Sequence, residues 1–154
     1  MQYLGIDPGK TGAISVIDWW EKDTRQGRDT EATITTCKLD GTELDIWQWL
    51  NDNTDMLNAV ATIENVHSMP QQSSQSGFTF GKNFGFLIGL LTASSIPYKF
   101  VTPQKWQKGM QCMTKGDKNV SKAAAQRLWP RIKMTHAIAD SLLIAEYGRK
   151  FLWQ

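Results

Sequence analysis

Cysteine is the first thing this chain of 154 residues is short of: it has two, Cys37 and Cys112. They lie far apart in neither a CxxC nor a CxxH spacing, which excludes a zinc knuckle and a disulfide framework and leaves ordinary reduced thiols. Long apolar runs are missing too. The longest, Phe84 to Ala93, is interrupted by Gly85, Gly89 and Thr92, so nothing here spans a bilayer, and the N-terminus has no cleavable signal pattern. The expectation is a cytoplasmic protein with no membrane partner. A glycine-rich phosphate loop is lacking as well: Gly9-Lys10-Thr11 has the look of the end of one, but Leu4 stands where its first glycine belongs. No linker divides the chain and no internal repeat is visible. The length suits one domain, 1–154, able to bury a core without disulfides or a structural metal.

An excess of one charge is nearly absent, the net being +2, yet the charges are unevenly spread. Acids dominate from Met1 to Glu64. From Lys99 to Lys133 the basic residues include Lys99, Lys105, Lys108, Lys115, Lys118 and Lys122, and Asp117 is the single acid. A lone charge run is usually a solvated face. This one directly precedes the segment bearing Asp140, which favours contact with a polyanion, whose phosphates reward clustered cations through counterion release.

Gln2 to Asp7 reads as a strand, Pro8 to Gly12 as turn chemistry and Ala13 to Ile17 as the returning strand. The polar stretch from Trp19 to Asp29 reads as an exposed excursion, and Ala32 to Cys37 alternates as a third strand. A helix starting at Asp40 to Glu43 would put Leu44, Trp47 and Leu50 on its inner side. Ala59 to Glu64 is a buried strand without alternation, so a helix leads into a parallel crossover. Ser68 to Gly77 has no periodicity and reads as a functional loop. Phe78 to Ser94 is helical, with Phe80, Phe84, Leu87 and Leu91 on one face and Gly81, Gly85 and Gly89 forming a smooth stripe, either for packing within the chain or for a dimer face. Tyr98 to Val101 is a short strand, Thr102-Pro103 starts a helix, and further helices cover 117–129 and 135–150. The sum is a mixed five-stranded α/β domain, three antiparallel strands followed by parallel ones.

Three carboxylates stand where apolar segments should not want a charge: Asp7 at the end of the first strand, Glu64 at the end of Ala59 to Ile63, and Asp140 just before Leu142-Leu143-Ile144-Ala145. Acids in apolar elements are costly unless they are paired or hold a metal, so a convergent metal site is the chemical reading. Each has a plainer one. Asp7 in Asp-Pro-Gly suits an Asx-turn, Glu64 a lysine partner, and His136 with Asp140, four apart on one helix face, a surface pair. Their order along the chain gives the metal reading its force.

Gly5-Ile6-Asp7-Pro8-Gly9, Ile63-Glu64, Thr102-Pro103 before a lysine-rich segment, and Ile138-Ala139-Asp140-Ser141-Leu142-Leu143-Ile144-Ala145 together resemble the RuvC-type Holliday-junction resolvases, particularly their phage-encoded relatives. The resemblance spans nearly the whole chain. It implies an RNase H-like fold, a homodimer, and magnesium-dependent nicking of branched DNA at symmetric positions on two strands. By matching position, Asp7, Glu64 and Asp140 become metal-binding carboxylates. Many bacterial members carry a further aspartate where this chain has Ala137, and His136, one residue earlier, takes the remaining role as ligand or base. Lys118 matches a lysine near the scissile phosphate, with Lys105 or Lys108 as its partner. The loop from His67 to Phe78 would approach the junction centre, with Met69 and Phe78 as candidate wedges between bases, Phe78 being more simply the start of the helix core.

The chemistry agrees. In-line phosphodiester hydrolysis is helped by two hard cations about 4 Å apart. Magnesium takes oxygen ligands, and a histidine moves preference toward manganese, which is expected to substitute. Lysines, as point charges, hold the phosphate backbone rather than read bases, which gives Lys105, Lys108, Lys115, Lys118 and Lys122 that role. Lys10, beside Asp7, is a phosphate contact or a solvated turn residue. Trp106 and Trp129 stack on bases or pack internally. The expected activity is that of a crossover junction endodeoxyribonuclease. The alternatives are an RNase H-fold nuclease acting on flaps or RNA, and a non-catalytic nucleic-acid-binding module.

Overall fold

A computed structural model of the chain describes residues 1–9, 11–24, 27–66 and 73–154, with the backbone alone over 21–24 and 27–30. The elements run β1 (Gln2–Asp7), β2 (Ala13–Thr24), β3 (Gly27–Lys38), α1 (Glu43–Asn53), β4 (Ala59–Glu64), α2 (Ser74–Ala93), β5 (Tyr98–Val101), α3 (Pro103–Gly109), α4 (Asn119–Leu128) and α5 (His136–Phe151). They build one five-stranded sheet of order β3-β2-β1-β4-β5. The β1–β2 and β2–β3 pairs are antiparallel, the β1–β4 and β4–β5 pairs parallel. The mixed five-stranded α/β reading therefore holds. Among the described residues no helix is long and apolar enough to cross a membrane.

Successive strand residues point to opposite faces, and the sheet is apolar on both. Leu4, Ile6, Ile14, Val16, Ala61 and Ile63 pack with Ile46 and Leu50 of α1 and Leu87, Leu90 and Leu91 of α2. On the other face Ile17 and Val101 meet Ala139, Leu142, Leu143 and Ala145 of α5, with Ala124 and Ala125 of α4 behind them. α5 lies directly on the middle of the sheet because Gly5 has no side chain: a Cβ there would overlap the backbone of Ser141 and Ala145. A buried hydrogen bond between the hydroxyls of Ser15 and Ser141, 2.6 Å, fixes the register of α5 against β2. That contact sits one residue from Asp140.

Four readings of the sequence are corrected. The stretch from Trp19 to Asp29 is no excursion: β2 and β3 stay paired as far as Thr24 opposite Gly27, since ladder hydrogen bonds need no apolar side chains. In α1 the buried residues are Ile46 and Leu50, while Leu44 and Trp47 are 59% and 45% exposed. A capping box between Thr42 and Asp45 sets where that helix begins and thus which face turns inward. α2 starts at Ser74, a turn before Phe78, because the Ser73 hydroxyl accepts the Ser76 N–H. Finally, Lys99 is not free for a polyanion, since its ammonium donates to the Leu152 carbonyl at 2.6 Å and lies over the Trp153 ring.

Candidate active site

β1 ends in Asp7, and the turn after it is held by that side chain: the Gly9 N–H donates to Asp7 Oδ1 at 3.3 Å. Gly12 closes the turn against the Asp7 carbonyl, where a Cβ would collide. The Asx-turn reading is thus correct, and it engages one of the two carboxylate oxygens. Parallel pairing of Ile6 with Ile63 places Glu64 one step further along, beside Asp7 at the C-terminal ends of these inner strands. Docking of α5 brings Asp140 over them.

Burial pushes the Asp7 carboxyl up to about 6, with the Asp140 charge adding to the rise and Lys118 and the Gly9 N–H opposing it. Burial likewise pushes Glu64 up to about 7, aided by Asp7 and Asp140 and opposed by Trp106 and Lys118. Asp140 is raised by burial too, against the nearby Ser121 hydroxyl and the charges of Lys118 and His136. The three acids therefore feel one another, and Lys118 acts on all three. Asp140 Oδ1 is buried with no hydrogen-bond partner. A buried acceptor with nothing to accept favours a cation.

Asp7, Asp140, His136 and Lys118 line one cleft of about 370 Å³, together with Thr11 and Lys38. Glu64 is not on its lining; the buried Trp106 holds it, its indole N–H donating to Glu64 Oε1 at 2.7 Å. The Lys118 carbonyl ties the site's two helices together. It accepts from the Ser121 hydroxyl at 3.2 Å and lies 3.2 Å from His136 Nδ1. A carbonyl only accepts, so Nδ1 carries a proton, and Nε2 is the ring nitrogen open to a metal when the imidazole is neutral.

The donor set, three carboxylates and a neutral imidazole nitrogen, fits a hard divalent cation. Among the described residues no group of three or more His, Cys, Asp and Glu could hold a metal ion as the side chains stand, so a cation would have to draw the carboxylates together.

The predicted phosphate contacts divide. Lys118 stands in the cleft. Lys105 and Lys108 are exposed on α3, Lys115 is exposed on the turn before α4, and Lys122 is half-buried on α4. None of the five makes an ion pair among the described residues. Phe78 is 76% exposed, so it does not start a helix core. Met69 and Lys10 lie outside the described residues. Three participants escaped the sequence reading. Trp106 was weighed as packing or base stacking, but nothing in its spacing shows its N–H aimed at Glu64. Ser121 and Lys38 carry no local signal at all.

No protein-family model matches the chain, and no curated protein matches it. Solved structures do. A T. thermophilus RuvC in complex with Holliday junction substrate matches with a TM-score of 0.62 at 11% identity, over 97% of this chain and 93% of that one. A second Thermus thermophilus RuvC structure matches with a TM-score of 0.59 at 12% identity, over the same shares. The fold is RuvC-like. In this chain the strand-end acids on β1 and β4 and the helix acid on α5 share one end of the sheet.

Proposed function

We propose that this chain is a divalent-metal-dependent, structure-selective endodeoxyribonuclease that resolves four-way DNA junctions by symmetric hydrolysis of two phosphodiesters. The observation that carries the reading is that Asp7, Asp140 and Lys118 line one cleft of a RuvC-like fold, with Glu64 beside Asp7 at the same strand ends. Asp7, Glu64 and Asp140, with His136 Nε2, are the residues that would hold magnesium or manganese. Bound there, the cations supply charge neutralisation at the phosphate and a more acidic water. Trp106 keeps Glu64 oriented, and the Lys118 carbonyl keeps His136 in the tautomer that leaves Nε2 free. The Lys118 ammonium offsets phosphate charge that the three acids alone would repel, and Lys105, Lys108, Lys115 and Lys122 extend the basic surface along the backbone.

A homodimer belongs to this proposal, because two symmetric cuts need two sites. It is supported by α2, where a Cβ at Gly81, Gly85 or Gly89 would meet nothing within 4 Å, so the stripe is not used for packing among the described residues. Phe78 on α2 is exposed as well, and so is Phe100 on β5, which stacks on Phe84.

The test is cleavage of a labelled four-way junction beside linear duplex and flap controls, in magnesium, by wild type and Asp7→Asn. Paired nicks in the junction that vanish in the variant while binding persists are the expected result. Binding without cutting by the wild type would leave a non-catalytic binding module, and cutting of flaps or RNA hybrids instead would keep the site and change the substrate.

A further inference from the structure

The cleft has a second cation that the proposed chemistry does not use. Lys38 ends β3, is exposed, and lines the cleft with Asp7, Asp140 and Lys118. Strand register gives its place. Asp7 pairs with Ala13, and Ala13 pairs with Lys38. Directly paired residues face the same side of a sheet. Lys38 therefore shares a rung with Asp7, on the face that α5 covers, at a backbone separation of two strand spacings, about 10 Å. Between them stands only Ala13, small and fully buried. Extended to the other edge, this rung passes Glu64 and its partner Val101, after which the chain enters α3.

The rung thus has a cation at its β3 end and acids in its middle. Lys38 lies on the β3 side, and Lys118 stands in the same cleft. No ion pair occupies Lys38 among the described residues, and Asp40, on the same wall, is not bridged to it. A lysine left unpaired at the mouth of an acidic cleft has an anion to meet. Resting on the nuclease reading above, we infer that Lys38 holds a backbone phosphate flanking the one at the carboxylates, so that the DNA strand runs from the carboxylates along this rung to the end of β3. Lys38 is then a binding residue that steers the strand's exit, while the charge at the cut itself is served by Lys118.

The test compares wild type, Lys38→Met, which keeps the stem and removes the charge, and Lys38→Arg. Affinity for a four-way junction is measured in EDTA over a range of salt, and single-turnover cleavage at saturating protein in magnesium. Lys38→Met is expected to bind about fivefold more weakly at low salt and to lower the slope of log affinity on log salt by about one. Cleavage at saturation stays within about twofold and Lys38→Arg restores binding, since phosphate needs the charge and not the exact head group. Wild-type affinity and slope in Lys38→Met, or an equal loss in Lys38→Arg, would overturn the assignment of Lys38 alone. A wild-type chain that binds no DNA would overturn the nuclease reading and this inference with it.

Discussion

Asp7 serves the turn and the cleft with the same side chain, and its burial has a measurable cost in the metal-free protein. Below the unfolded value of 3.8 it is protonated in both states. Between 3.8 and about 6 the folded chain keeps a proton the unfolded chain has lost, so stability falls as pH rises through that window. The loss is on the order of 3 kcal/mol. Glu64 acts in the same direction between 4.5 and about 7. Urea midpoints taken without divalent cation are expected to fall across this range, and Asp7→Asn to remove part of the fall; an identical pH slope in the variant would contradict the burial of that charge. Trp106 makes a second residue-scale prediction. Trp106→Phe keeps most of the buried ring and removes the N–H to Glu64, and losing such an orienting partner costs about 10- to 100-fold in activity or metal affinity. Magnesium affinity read by calorimetry should drop with the cleavage rate, whereas an unchanged affinity would reduce Trp106 to packing.

Two helices carry the element-scale consequences, and they are opposite. α5 can rest on β1 only because Gly5 leaves room for the backbone of Ser141 and Ala145. Gly5→Ala is expected to destabilise by about 3 kcal/mol through overpacking and to displace Asp140, so that the urea midpoint and cleavage fall together. α2 has space where α5 has none. Gly85→Ala gains helix propensity of about 1 kcal/mol and meets no neighbour, so monomer stability should hold or rise. If the stripe is the dimer face, a bulkier Gly85→Leu lowers the mass seen by analytical ultracentrifugation while the helical circular dichroism is kept. An unchanged dimer would move the interface elsewhere.

At the scale of the molecule, the charge distribution and the acid cleft set the response to ions. Cleavage is expected with magnesium and to be equal or faster with manganese, because an imidazole nitrogen among carboxylates favours the softer ion. Working magnesium activity with no manganese activity would argue against His136 as a ligand. On the proposed function, metal would compete with protons on Asp7 and Glu64, so the magnesium concentration needed for half-maximal cleavage should rise as pH is lowered from about 8 to about 6.

Much of this was legible from local signals. β1, β4, β5 and the helices after them follow from apolar runs, caps and Thr102-Pro103, and the three acids stood out because each interrupts an apolar element. The polar half of the β2–β3 ribbon was not legible, since its pairing rests on backbone hydrogen bonds that leave no periodic trace. The inward face of α1 was not either, because a capping box set its start. The sequence by itself determined β1, β4 and β5, the order of the helices, the acids and the basic segment. Only the tertiary structure decided that Trp106 serves Glu64, that the Lys118 carbonyl orients His136, and that Lys38 shares a rung with Asp7. Those relations join residues distant in the chain, and it is strand register and the docking of α5, not any local pattern, that bring them together.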